Sequence, residues 1–279
     1  MSNPVQKRVS LAVAYGLLLV TCMAALLPFF WLLRSSLMDR KQLFAFPIMI
    51  APDPFRWDNY PKALGSAPFV RYFFNTLFLV AMNMAGTVLS SAMAGYSFTR
   101  LRWKGKKLAF YAMLSTMMIP SFITLIPTFL IWSGMGLTDT YWPLILPAWL
   151  GGGAYNIFLM RQFFMTIPMD LDNAALIDGA GPPRIFWSIL MPLLKPVLAT
   201  IAIFTFMGVW NDLLGPVIYL NTEKMYTLSL GLSAFRGMYG TRWDYLMAAS
   251  TVVTMPMIAI FFIFQKYFVE GITLSGIKG

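Results

Sequence analysis

The chain has 279 residues, of which 58% are hydrophobic and only 11% charged, and its mean hydropathy is +0.68. Soluble domains are about half apolar and about a quarter charged, so this composition excludes a soluble globular domain and predicts an integral membrane protein. The net charge of +10 comes mostly from bases between the apolar runs, where membrane orientation requires them, which argues against a nucleic-acid-binding surface.

The chain contains no histidine and a single cysteine, Cys22. An internal disulfide is therefore excluded, and the commonest general base and metal ligand is missing, so we expect neither a catalytic nor a metal site. The apolar run around Cys22 continues to Leu33 and is too long for the core of a secretory signal, so we expect Cys22 to pack inside a helix.

Six apolar segments have the length of about 20 residues that a helix needs to cross a bilayer. A bilayer offers no water to unpaired backbone groups, and the segments lack the short alternating pattern of barrel strands, so helices are expected. The predicted spans are 9–33, 73–98, 108–132, 142–160, 197–220 and 246–268. We therefore expect an all-α integral membrane protein whose residues 1–279 form a single transmembrane domain.

The lysines and arginines of the short loops predict the orientation. Segment 99–107, TRLRWKGKK, carries five bases, whereas segment 133–140, SGMGLTDT, carries none. The first loop is therefore expected in the cytoplasm, together with both termini and the tail 269–279. The loop 34–72, expected outside, carries six bases against this rule, although three aspartates accompany them and long or partly structured loops follow the rule less strictly.

Small residues recur at every fourth position on two of the predicted spans. They are Gly86, Ser90 and Ala94 on one span, and Ala148, Gly152 and Asn156 on another. Such faces let helices approach closely, so we expect them to pack within the bundle; the alternative is that they line a path for a solute. Five prolines are expected to kink or unwind their spans, namely Pro120, Pro127, Pro143, Pro147 and Pro256.

Segment 171–196, LDNAALIDGAGPPRIFWSILMPLLKP, interrupts this apolar chain with a polar insert. Asp170 is expected to cap a helix of two to three turns, and Gly179 to end it in a left-handed conformation. Gly181, Pro182 and Pro183 enforce a turn before a second helix. In that helix an amphipathic face is predicted from the spacing of Phe186, Ile189, Leu190, Leu193 and Leu194.

A short, stiffly jointed helix with small residues on its surface is suited to insert as a unit into a cleft of another protein. A purely lipid-anchored helix pair is the alternative, but it leaves the Ala/Gly-rich half and its aspartates unexplained. The order NAALIDGA followed by RIFWSILMPLLKP resembles the EAA loop of permease subunits of ATP-binding-cassette importers. Further motifs, from FFNTLFLVAMN to FFIFQKYFVEGITLSGIKG, are similar to carbohydrate-importer permeases related to the maltose importer.

This resemblance implies a type I importer permease whose cytoplasmic loop 161–196 docks on an ATPase. The matching positions implied for ATPase coupling are Asp172, Asn173, Ala174, Ala175, Asp178, Gly179 and Ala180. One position departs from the family pattern, since Asn173 replaces the glutamate expected there. An amide still forms hydrogen bonds, at about half the strength of a charge-assisted bond. Asp172 is rotated from Asn173 by about 100° on a helix and is not expected to substitute for the missing carboxylate.

The chain has no phosphate-binding loop, because WKGKKL lacks both the upstream glycine and the hydroxyl residue. We therefore expect no cofactor on this chain, with ATP and magnesium bound by partner ATPase subunits. The resemblance further implies two copies of such subunits, a second permease, an extracytoplasmic substrate-binding protein and a location in the cytoplasmic membrane.

Polar and aromatic residues inside spans are the candidates for the solute pathway, because sugars are held by aromatic faces and hydrogen-bonding groups. The candidates are Asn83, Tyr155, Asn156, Trp210 and Asn211, with a structural or gate role as the alternative for 210–212. By resemblance the solute is a mono- or oligosaccharide; a glycerol-3-phosphate or polyol remains open. An ion-coupled secondary transporter fits less well, since only Asp212 offers a buried carboxylate, and a membrane enzyme lacks a nucleophile and base.

Overall fold

The computed structural model describes residues 4–238 and 242–276, without the side chains of 4–7, 9, 234–238 and 267–276. It contains helices and no strand among these residues. The α-helices are α1 (Pro4–Ser36), α2 (Arg40–Leu43), α3 (Asn59–Gly65), α4 (Phe69–Thr99), α5 (Lys106–Ser115), α6 (Ser121–Gly134), α7 (Trp142–Trp149), α8 (Ala154–Thr166), α9 (Met169–Ile177), α10 (Pro182–Arg184), α11 (Met191–Leu193), α12 (Lys195–Asn211), α13 (Leu214–Tyr219), α14 (Leu228–Met238) and α15 (Trp243–Gly276). Short 3-10 turns cover Thr116–Met118 and Glu223–Met225, and a π-helical segment covers Ile185–Leu190.

Four stretches are long and apolar enough to cross a membrane by themselves. They are Ser10–Ser36, Phe69–Thr99, Trp142–Thr166 and Trp243–Lys266. Two further pairs of helices qualify only if each bent pair is one span: Lys106–Met118 with Ser121–Gly134, bent by 104°, and Pro182–Leu193 with Lys195–Asn211, bent by 79°. The chain is thus an all-helical, multi-pass membrane protein with four to six candidate spans.

Breaks interrupt three of the predicted spans, and the sequence predicted one of them, at Pro120. Pro127, Pro147 and Pro256, which were also predicted to kink or unwind their spans, lie inside α6, α7 and α15. Pro120 lies directly between the two helices that meet at 104°, and it begins the second of them as its N-cap. Glycines 151–153, all with positive φ, separate α7 from α8. The predicted span 197–220 is likewise interrupted, because α12 ends at Asn211 and α13 begins at Leu214. A proline or a positive-φ glycine prevents the regular backbone hydrogen bonding of a helix.

The chain divides into two compact units, which are described separately. The first comprises the described parts of residues 1–69 and 232–256. In it the guanidinium of Arg34 is buried and donates to the backbone oxygens of Met49 and, at 3.2 Å, Ile50. Arg56 lies 3.3 Å from Asp39, and Lys62 lies 2.5 Å from Asp58. Three of the six bases in 34–72 therefore have partners within that segment, as expected for a structured loop.

The second unit comprises residues 70–231 and the described part of 257–279. Its core contains Met160 and Phe164 of α8 and Ile201 of α12, all fully buried, together with Tyr96 of α4. Ala175 and Ala180 belong to the same core, so the polar insert rests directly on the helix bundle. The small-residue faces also meet here, because the Ser90 hydroxyl donates to the Ala148 oxygen at 2.8 Å.

Helix packing is therefore confirmed for these two faces. A Cβ on Gly152 would lie 2.8 Å from the Thr87 oxygen, and one on Gly86 would lie 2.6 Å from the Trp149 ring. These distances are shorter than side chains tolerate, so glycine is required for the close approach of α4 to α7 and the loop after it. The predicted tail 269–279 continues α15 as far as Gly276, and residues 277–279 lie outside the described residues.

Candidate functional site

The first half of the polar insert is the nine-residue helix α9. Its N-cap is Pro168, which has an extended conformation and no side-chain capping bond. The prediction that Asp170 caps this helix was wrong, since Asp170 lies one position inside the first turn. It is exposed there, and its charge still faces the positive end of the helix dipole, as does that of Asp172.

The end of α9 has the predicted glycine geometry. Gly179 has φ of +80°, a conformation that costs little only for glycine. The Gly179 N–H donates to the Leu176 oxygen at 3.0 Å, and the Ala180 N–H donates to the Ala175 oxygen at 2.9 Å. This pair of bonds is a Schellman motif, which satisfies two terminal carbonyls and stops the helix sharply. Gly179 was thus correctly predicted as the left-handed cap.

The seven residues matched to the coupling motif divide between two sides of α9 and its cap. Asp172, Ala175 and Ala180 are buried. The exposed members are Asn173, Ala174, Asp178 and Gly179. Leu176 and Ile177 extend the exposed side, and 87% of Ile177 is accessible. One side of the helix is thus anchored, and the other offers a mixed polar and apolar surface.

The anchor is a buried ion pair. Nε of Arg100 lies 3.3 Å from Oδ2 of Asp172, with only 5% and 8% of the two side chains accessible. This is an ion-pair distance, but neither atom has a partner in hydrogen-bond geometry. Arg100 also donates to the Ile167 oxygen at 2.7 Å and contacts Sδ of Met169. A single side chain at the end of α4 therefore holds both the entry and the inner face of α9.

This anchor was not predicted from the sequence. Arg100 was counted only among the bases of 99–107, and Asp172 was placed with the residues facing a partner. The structure turns the Asp172 carboxylate inward instead. The sequence signal was a base at the end of one span and an acid in the first turn of a distant helix, and only the tertiary fold brings these two together.

The second half of the insert is buried on one side, but the pattern differs from the predicted face. Phe186, Leu190 and Leu194 are buried as predicted, whereas Leu193 is 53% accessible and Ile185 is buried in its place. The cause is the π-helical segment Ile185–Leu190. Its wider turns rotate the residues that follow relative to the 3.6-residue repeat on which the prediction rested.

The five pathway candidates have different surroundings. Asn83 and Trp210 are buried, Asn156 is half-buried, and Tyr155 and Asn211 are exposed. The three amides each donate to a carbonyl of their own chain four residues earlier, at 2.7 to 2.9 Å. Trp210 stacks on Phe206 with ring centroids 5.2 Å apart.

The carboxylate of Asp212 has a structural role in this arrangement. Its Oδ1 accepts the backbone N–H of Gly215 at 3.1 Å, across the break between α12 and α13. The Asp212 backbone oxygen in turn accepts the hydroxyl of Ser229. Among the alternatives for 210–212, these contacts favour a structural role in joining the two helices.

A multi-pass helical bundle that presents a short, anchored helix outside its spans has the architecture of a transport permease. Residues 86–274 match the family described as the binding-protein-dependent transport system inner membrane component. The chain belongs to this family, whose members are permease subunits of ATP-binding-cassette importers.

Curated relatives and solved structures agree with this assignment. An arabinooligosaccharide transport system permease of Bacillus subtilis is 35% identical over 91% of this chain and 91% of its own length. An sn-glycerol-3-phosphate transport system permease of Yersinia enterocolitica is 32% identical over 93% of this chain and 94% of its own length. A chain of a bacterial ABC transporter involved in alginate import has the same fold, with a TM-score of 0.83 and 23% identity, covering 96% of this chain and 99% of that one.

Proposed function

We propose that this chain is a six-span permease subunit, with both termini in the cytoplasm, that moves a sugar inward by alternating access. Each bent helix pair then counts as one span, and α9 lies on the cytoplasmic side as the coupling helix. The observation that carries this proposal is the way in which α9 is attached to the bundle. The buried pair of Arg100 and Asp172 and the cap at Gly179 hold it against the bundle core, while its outer side stays exposed.

The exposed residues of α9 and its cap form the docking surface in this proposal. Asn173, Ala174, Asp178 and Gly179 face the ATPase, whereas Asp172, Ala175 and Ala180 position the helix from within. Because α9 is short and fixed at both ends, a displacement applied by the ATPase passes to the bundle and is not absorbed by a loop. Asn173 contributes a neutral hydrogen bond to this contact, weaker than the charge-assisted bond of a glutamate.

The energy for transport comes from partners in this proposal. Two copies of a cytoplasmic ATPase subunit bind ATP and magnesium, and this chain supplies neither a nucleotide site nor a cofactor. A second permease subunit completes the pathway, and an extracytoplasmic binding protein delivers the solute, in keeping with the family's binding-protein-dependent description.

An oligosaccharide is the solute we favour, because the relatives at similar identity include permeases for arabinooligosaccharides and galactooligosaccharides. A glycerol-3-phosphate-type solute is the second candidate, and it is supported by the similarity to the sn-glycerol-3-phosphate permease of Yersinia enterocolitica. Within the proposed pathway, Tyr155 and Asn211 are the candidates for direct contact with a solute because they are exposed, and the buried Asn83 and Trp210 would support the surrounding helices.

A matched pair of glycine variants tests the coupling role of α9. Gly179 needs its left-handed φ of +80°, and an added Cβ there meets no atom within 4 Å, so Gly179→Ala acts on the backbone alone. Gly181 has φ of −75°, and its Cβ would approach only Pro183, at 3.8 Å. We expect Gly179→Ala to reduce substrate-stimulated ATPase activity of the reconstituted complex severalfold and Gly181→Ala to leave it unchanged.

The readout is ATPase activity of the complex with and without sugars presented by its binding protein. Stimulation by one sugar identifies the solute, and stimulation only by glycerol-3-phosphate selects the second candidate. Equal activity of both glycine variants and wild type would refute the coupling role of α9. Solute uptake that continues without any ATPase partner would favour the ion-coupled alternative.

A further inference from the structure

Three of the candidate spans end around one cavity of about 450 Å³ in the second unit. The end of α4 contributes Phe98 and Thr99, and the start of α5 contributes Lys106, Lys107, Phe110 and Tyr111. Arg161 and Met165, from the last turns of α8, complete the lining. Because candidate spans begin or end close to these residues, we infer that the cavity lies at the depth of the lipid headgroups.

The cavity carries three positive charges without compensation. No carboxylate lines it in the part of the chain that the structure describes, and the four ion pairs among those residues do not include Lys106, Lys107 or Arg161. Clustered cations repel one another, so an anion bound among them would be stabilised. The loop that precedes α5 adds Arg102 and Lys104 to the same positive region.

The cations are held in place with their donors available. The guanidinium of Arg161 lies over the Phe110 ring at 4.4 Å, a stacking that uses the flat face and leaves the N–H groups at its edge free. The Lys106 ammonium donates to the oxygens of Thr99 and Leu101 at 3.1 and 2.9 Å, and one of its three hydrogens remains. Lys107 is exposed at the rim.

Exposed apolar and aromatic side chains lie next to the basic lining of the cavity. Tyr111 is 66% accessible and Leu108 is 76% accessible, next to the basic lining. Trp103 packs against Phe98 with ring centroids 5.6 Å apart, in the position that interfacial aromatic residues occupy in membrane proteins. An amphiphilic ligand could therefore place its polar group against the cations and its apolar part against Leu108 and Tyr111.

We propose that this cavity binds the phosphate headgroup of an anionic phospholipid. Arg161 and Lys107 contact the phosphate, Lys106 adds its remaining hydrogen, and the acyl chains lie along Leu108 and Tyr111. Basic pockets between membrane helices are known to hold acidic headgroups, and each lysine or arginine near an anionic surface changes the affinity about fivefold. The site is independent of which solute is transported.

Lipid titration of the purified transporter tests this proposal. The complex is titrated in detergent with short-chain phosphatidylglycerol or phosphatidylcholine, and bound lipid is counted by native mass spectrometry. We expect Arg161→Gln and Lys107→Gln each to weaken phosphatidylglycerol binding about fivefold and to weaken phosphatidylcholine binding less, because the choline cation offsets the charge of its phosphate. Lys104→Gln is the matched control, since it removes the same charge from the adjoining loop and does not line the cavity.

Two kinds of outcome would overturn the proposal. The first is an equal loss of phosphatidylglycerol binding in Lys104→Gln, which indicates a diffuse surface charge, or no loss in any variant. The second is binding of inorganic phosphate alone with the same dependence on Arg161 and Lys107, which indicates a site for a soluble anion. Lys107→Gln keeps the test valid if Arg161→Gln fails to fold, because the exposed Lys107 packs on no aromatic ring in the described structure.

Discussion

The substitution Asp172→Asn tests whether the buried ion pair positions α9, the proposed coupling helix. It leaves the guanidinium of Arg100 in a site where only 5% of that side chain is accessible, without a counter-charge. Removing one member of a buried pair costs about 3–5 kcal/mol. Arg100 keeps its bonds to the Ile167 oxygen and Met169 Sδ, and the pair itself lacks hydrogen-bond geometry, so the lower end, about 3 kcal/mol, is expected.

The matched control is Asp170→Asn, on the same turn of α9. Both substitutions remove one negative charge from the positive end of the helix dipole, but Asp170 is exposed. The dipole contributes about 0.3–1 kcal/mol to each variant, so the difference between them reports the ion pair. At about 2 °C for each kcal/mol in a chain of this size, Asp172→Asn is expected to lower the unfolding temperature by about 6 °C.

The assay is thermal unfolding of the purified complex, followed by its substrate-stimulated ATPase activity below the transition. Asp172→Asn is expected to lose stimulation, whereas Asp170→Asn retains it, because only the former releases the inner face of α9. Identical unfolding temperatures for the two variants would show that the ion pair does not stabilise this region. Full stimulation in Asp172→Asn would refute its positioning role.

Two further predictions concern other parts of the second unit. Gly136 has φ of +69°, so Gly136→Ala is expected to lower the free energy of unfolding by about 1 kcal/mol. Gly152 has a similar φ of +68°, but its Cβ would lie 2.8 Å from the Thr87 oxygen, so Gly152→Ala is expected to cost about 1–3 kcal/mol more. Equal unfolding temperatures of the two variants would exclude the close packing at Gly152. Hydrogen bonds from the side chain and backbone of Thr222 hold the pKa of Asp139 below its usual value. Asp139 therefore stabilises the fold above a pH of about 4, and this stabilisation is lost as pH falls through its folded pKa. The difference in unfolding temperature between wild type and Asp139→Asn should vanish in acid, and a constant difference would contradict this cause.

The apolar segments and the end of α9 were determined by the sequence itself. A span needs about 20 apolar residues in a row, and this requirement is local, so all six predicted segments are helical along most of their length. The end of α9 is local too, because a Schellman motif needs only a residue that tolerates positive φ, and Gly179 supplies it.

The details of the second insert helix depended on its surroundings. The 3.6-residue repeat predicted Leu193 on the buried face, but a π-helical segment shifted the register and exposed it. Such a segment forms when packing outweighs regular hydrogen bonding, and a periodic pattern contains no sign of it. The 104° bend lies at Pro120, where a break was predicted, whereas the 79° bend between Leu193 and Lys195 was not predicted.

The two charged features of the structure could be found only in three dimensions. Arg100 and Asp172 are 72 positions apart in the numbering, and the cavity cations Lys106 and Arg161 come from different helices. The sequence established that these residues are charged and lie near span ends, because composition and hydropathy are properties of the chain alone. Which charges are paired and which remain free depends on how α4, α5, α8 and α9 pack together. Electrostatic energy depends on distance and burial, and tertiary structure sets both.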